Sequence, residues 1–96
     1  MTDEEKRDRA RKMIWHMDVA KMGYGDWLNI GFIMHRLGFE VSEWREWSRK
    51  DERFREGECE KLWRHHFRTE GPRYGFPTLV KMFEAYCAQE EETQKR

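Results

Sequence analysis

Apolar residues recur at three- and four-residue spacing along most of the chain, and no segment sustains the strict alternation that marks a half-buried strand. The first stripe is Ala10, Met13, Ile14 and Met17, which predicts a helix from Asp3 to Met17 with only its C-terminal half facing a core. Thr2 stands where a side-chain oxygen can cap that helix, and Asp3, Glu4 and Glu5 suit the positive end of its macrodipole. Gly23, Tyr24 and Gly25 read as a turn, with Asp26 placed to cap a second helix. Along it Trp27, Ile30, Gly31, Met34 and Leu37 share a face, Gly31 permits close packing, and Gly38 supplies the stop. Ser42 and Glu43 open a short third helix on which Trp44 and Trp47, three apart, lie on one side before the polar stretch SRKDER. From Glu56 onward Cys59, Leu62, Trp63, His66 and Phe67 predict a fourth helix, ended by Gly71 and Pro72. The stretch TEGPRYGFP is the clearest irregular segment. Leu79, Met82, Phe83 and Tyr86 form the stripe of a fifth helix.

The expectation is an all-α fold, a compact bundle of about five short helices with an aromatic core. Residues 1–90 are read as a single helical domain, and residues 91–96, with nothing left to bury, as a disordered charged tail.

Composition sharpens the core and narrows the partners. Aliphatic side chains are few for a 96-residue domain, but five Trp, six Phe and three Tyr make up for them, so the interior is expected to be aromatic. Nineteen basic and 19 acidic side chains cancel, which argues against bulk electrostatic attraction to nucleic acid and confines any such contact to a local patch. No apolar run approaches the roughly 20 residues that span a bilayer, and Met1 is followed by a charged segment, so the chain is expected to be soluble and cytoplasmic. Cys59 and Cys87 are read as reduced, core-facing residues.

Nothing in the motif content points to catalysis. There is no nucleophile elbow, no phosphate loop and no Asp-x-Asp pair to hold the two magnesium ions of nucleotidyl transfer, so no enzyme activity is expected. No metal and no cofactor are expected either. A CxxC pair is absent, and His65 and His66 are adjacent, so on a helix they diverge instead of sharing an ion.

With the elements placed, a longer pattern stands out: DWLNIGFIMHRLG, then WREWS, then ECEKLWRHHF, then a glycine-containing loop leading to TLVKMFEAY. The matching positions are Asp26, Trp27, Gly31, Leu37, Trp44, Trp47, Ser48, Cys59, Trp63, Phe67, Thr78, Leu79 and Phe83. In this order and spacing the chain resembles a primase C-terminal domain of the second type, over most of its length from Met13 to Tyr86. It departs from the family in a long loop before the last helix and in Tyr86 and Cys87, where a small residue and an apolar continuation are usual. The resemblance implies that Trp27, Trp44, Trp63, Leu79 and Phe83 are core positions. It also implies longer relatives in which a primase-polymerase module precedes the helical domain and a helicase module can follow it, with the domain assisting template or nucleotide engagement at primer initiation.

Three surface clusters compete for a functional role. Trp47 borders the polar SRKDER stretch and is the tryptophan most open to stacking on an unpaired base. Arg64, His65, His66, Arg68 and Arg73, joined by Lys81, form a basic set suited to phosphate. Arg45, Arg49, Lys50, Arg53 and Arg55 alternate with acidic residues and read as a solvated, internally paired face. The leading expectation is therefore a noncatalytic accessory domain of a phage or mobile-element DNA replication primase. Its binding residues would be Trp47, Arg64, His65, Arg68, Arg73 and Lys81, and its partners a primase-polymerase or helicase module and single-stranded DNA. The alternative is a small helical protein-interaction module that binds and modulates a host protein, which the balanced charge suits equally well.

Overall fold

The opening residues form a helix because its first turn is closed from outside. In the computed structural model, which describes residues 1–67 and 74–94 except for the side chains of His66, Thr93 and Gln94, α1 spans Asp3–His16. Thr2 Oγ1 accepts the Glu5 backbone N–H at 3.1 Å, which satisfies one of the free N-terminal donors. The chain leaves α1 at Met17, in extended conformation, and makes a 3-10 turn at Val19–Lys21 that periodicity gave no sign of. Asp18 caps that turn through Ala20 N–H at 3.0 Å, while Met17, Val19 and Met22 are buried along it.

Helix α2 (Tyr24–Arg36) starts two residues before the expected cap: Gly23 is its N-cap without a side-chain bond, and Asp26 lies inside the first turn. Gly38 ends the helix as predicted, with φ of 87°, the left-handed region that costs a glycine least. Helix α3 spans Val41–Ser48 and begins one residue ahead of Ser42. The fourth helical segment differs most from expectation. Gly57, at φ 86°, precedes a single α-helical turn, α4 (Glu58–Lys61), which widens into a π turn over Leu62–His66. Phe67 N–H reaches back five residues to Leu62 O at 3.0 Å, so the 3.6-residue period expected from Glu56 onward does not hold there. Helix α5 (Phe76–Gln94) starts ahead of its apolar stripe and continues past it as far as Gln94. The expected helix stop at Gly71 and Pro72 falls outside the described residues.

The fold is all-α among the described residues, with α5 packed against α1 and α2, and α3 packed against α2 and α4. Trp44 and Trp47 sit at its centre, both fully buried, with Ile14, Ile30, Ile33, Met34 and Leu79 around them. A tryptophan removes roughly 150–250 Å² from water, worth about 4–6 kcal/mol at 25 cal/mol per Å² before entropy. These two rings are therefore a large share of what holds the bundle. Gly31 makes room for Trp44 and for Phe67: a Cβ there would lie 2.5 Å from Trp44 Cζ2 and 2.7 Å from Phe67 Cζ. At the periphery the Arg11 guanidinium grips Glu43 through two bonds, at 2.9 and 3.0 Å, and covers the Phe39 ring at 5.2 Å, tying α1 to α3. No helix of the described residues is long and apolar enough to cross a membrane.

Candidate functional site

An aromatic column runs from the core to solvent on one side of the bundle. Trp27 stacks on buried Trp44, ring centroids 4.7 Å apart and planes 25° from parallel. Its Nε1 donates to Ser48 Oγ at 2.8 Å, and that hydroxyl donates to Trp44 O at 2.7 Å, so the indole is held at both its face and its edge. Tyr24, one turn earlier on α2, leans on Trp27 at 5.4 Å and is 60% exposed. Inward, Trp44 meets Phe67 at 5.2 Å and Trp63 at 5.9 Å. The π turn carries Trp63 and is closed by Phe67, and His35 packs edge-on to Trp63 at 4.8 Å.

The polar stretch after α3 folds back over this column. Asp51 takes Arg53 N–H at 3.0 Å and Arg53 Nε at 2.9 Å, and Arg53 Nη2 donates to Met22 O at 2.6 Å. The Arg53 guanidinium holds the Asp51 carboxyl below its ordinary range. The result is a cleft of about 160 Å³ between Tyr24, Trp27, Ser48, Phe54 and Cys59. Burial pushes the Cys59 thiol at its floor up to about 11, against a smaller lowering by the Ser48 hydroxyl. The cleft shares Tyr24, Arg55 and Glu58 with a wider depression of about 700 Å³ whose far wall is Lys61, Leu62 and His65.

The charges around this depression are unequal in their freedom. Arg45 is committed to Glu60 at 2.8 Å, Arg49 to Glu56 at 3.3 Å and Arg53 to Asp51. The Arg45 bond holds the Glu60 carboxyl low in turn. The alternating-sign stretch thus behaves largely as the paired surface its sequence predicts, and it staples α3 to α4. Among the described residues Arg55, Lys61 and Arg64 form no ion pair, and all three are exposed.

The expected binding residues divide accordingly. Trp47 is a correction: it is fully buried, and its Nε1 donates to Met17 O at 3.1 Å, closing the carbonyl end of α1, so neither ring face is open to a base. Arg64 and His65 are exposed on the π turn, and His65 lines the wide depression. Lys81 is exposed on α5 and lines neither cavity. Arg68 and Arg73 lie outside the described residues. Of the expected core positions, Trp44 and Leu79 are fully buried, and Trp27, Trp63 and Phe83 are partly buried against the core. Sequence periodicity passed over Tyr24, Arg55 and Lys61. The available signal for Tyr24 was an aromatic residue set between two glycines, off every apolar stripe.

Neither a search of curated proteins nor one of solved structures returned a match. The order that carries the aromatic column, Trp27 on α2, Trp44 on α3, Cys59 and Trp63 on the segment after it and Leu79 on α5, falls wholly within residues 10–82. Those residues match the sequence model described as primase C terminal 2, and the chain belongs to that family.

Proposed function

We propose that the chain is a noncatalytic accessory domain of a phage or mobile-element replication primase, and that it engages single-stranded template in the depression between Tyr24 and the Arg55, Lys61 and His65 wall. Family membership supports the primase setting. The observation that carries the template role is Tyr24, an exposed ring braced from behind by Trp27, in one depression with Arg55 and Lys61, neither of which forms an ion pair among the described residues. A braced ring offers a base a stacking face worth about 1–3 kcal/mol without regard to sequence. Guanidinium and ammonium groups at its side suit the phosphates that follow. Arg64 is exposed on the same π turn as His65, and Tyr24 takes the part that sequence alone gave to Trp47.

Fluorescence anisotropy of a labelled single-stranded oligonucleotide tests the reading. Tyr24→Ala is expected to weaken binding about tenfold, the lower part of the stacking range, and Lys61→Ala to weaken it less. An oligonucleotide that stays free at low salt, or binds the Tyr24→Ala protein as well as the parent, overturns the template role. A second reading, a helical module that binds and modulates a host protein, draws on the Glu56 and Glu58 carboxylates that share this depression with Arg55 and Lys61. A rim of mixed sign suits a protein surface better than a polyanion. A host protein bound through the same residues, with no affinity of the chain for the oligonucleotide, would favour this second reading over template binding.

A further inference from the structure

The end of α1 and the second half of α5 meet on the bundle edge, and three side chains of different chemistry converge there. His16, the last residue of α1, places Nε2 2.8 Å from Glu90 Oε1. Cys87 precedes Glu90 by three residues on α5, so the two lie on one face of that helix. The thiol, the imidazole nitrogen and the carboxylate oxygen all lie within 4.8 Å of one another. The His16 ring is held edge-on by Phe83 at 5.5 Å and Tyr86 at 6.1 Å, and Tyr86 Oη accepts Asp18 N–H at 3.0 Å, which fixes the backbone just after His16.

We infer that His16, Cys87 and Glu90 form a zinc-binding site that clamps α5 to α1. Sulfur, imidazole and carboxylate are the donors zinc takes, at about 2.3 Å for sulfur, 2.0–2.1 Å for nitrogen and 2.0–2.2 Å for oxygen. Tetrahedral donors at those lengths stand roughly 3.3–3.8 Å apart, a spacing that side-chain rotation reaches from the present one. The His16 and Glu90 side chains, 49% and 35% exposed, have room for that rotation. A thiolate in the set selects against magnesium and calcium. Three protein donors leave the fourth position to water. His16 and Glu90 lie 74 residues apart in the chain, so no short motif announces the site. Cys87 and Glu90 also fall beyond the family-matched residues, and the site does not rest on the template reading.

Cobalt serves as the spectroscopic probe. Titrating the full chain with Co²⁺ should give a thiolate-to-cobalt charge-transfer band that saturates at one equivalent and is displaced by Zn²⁺. Cys87→Ser should abolish the band, Cys59→Ala should leave it, and His16→Gln or Glu90→Gln should weaken binding by more than about 100-fold, the upper end of the loss seen for residues that only support a ligand. Zinc should raise the melting temperature of the parent and not of Cys87→Ser, with circular dichroism reporting that each variant is folded. Absence of the band at stoichiometric cobalt, its persistence in Cys87→Ser, or an equal zinc effect on both melting temperatures would overturn the site.

Discussion

At Gly31 two opposing effects can be weighed. Alanine would gain about 1 kcal/mol of helix propensity over glycine. Its methyl would also fall 2.5 Å from one aromatic carbon and 2.7 Å from another, both on rigid rings packed in the core. Overpacking of that kind costs about 1–3 kcal/mol, and more where neighbours cannot turn aside. The clash is expected to win. Gly31→Ala should lower stability by about 1–3 kcal/mol, and in a domain of this size each kcal/mol takes roughly 4–8 °C off the melting temperature. A rise in melting temperature would mean that Trp44 and Phe67 are less tightly seated than they are here. This position was legible in the sequence, as a glycine on an otherwise apolar helical face. Trp47 was not. Its neighbours in the chain are polar or charged, and the carbonyl that receives its indole N–H belongs to Met17, 30 residues away, a contact that local pattern does not encode.

Among the elements, helix existence was readable and helix ends were less so. Apolar spacing placed the helices because burial rewards that spacing wherever the partner lies. The ends were set by neighbours: by Asp18 capping an unexpected 3-10 turn, by the backbone bond of Phe67 to Leu62 that opens the π turn, and by α1 supporting α5 beyond its apolar stripe. The short fourth segment leans on α3 through the Arg45–Glu60 pair, and that pair gives it a pH dependence. The Arg45 bond holds the Glu60 carboxyl below its ordinary value of 4.5. The folded state therefore takes up this proton at lower pH than the unfolded state. Its stabilising contribution is present above the unfolded value and is lost as pH falls through the folded one. Glu60→Gln should therefore lower the urea midpoint near neutral pH and narrow its gap from the parent under acid conditions. Equal gaps at both pH values would show that the pair contributes no linked protonation.

For the whole molecule, a net charge of zero sets how template binding should respond to salt. With no general basic field, only local cations release counterions. If Arg55, Lys61 and Arg64 each meet one phosphate, the logarithm of the binding constant should fall against the logarithm of salt with a slope of about −2, from roughly 0.7 per contact on single strands. A clearly steeper slope would place the contact on a larger basic surface than these three residues make. The site was half legible for the same reason. Arg64 and His65 were named from a local run of basic residues, whereas Tyr24, Arg55 and Lys61 become neighbours only once α2 and α4 are folded against α3. The Trp27 and Trp44 indoles, stacked at 4.7 Å, are also close enough for their electronic transitions to couple, with exposed Tyr24 against the outer ring. A ligand that settles on Tyr24 should therefore change the near-ultraviolet circular dichroism of the pair behind it, an intrinsic optical gauge at the mouth of the cleft that needs no attached label.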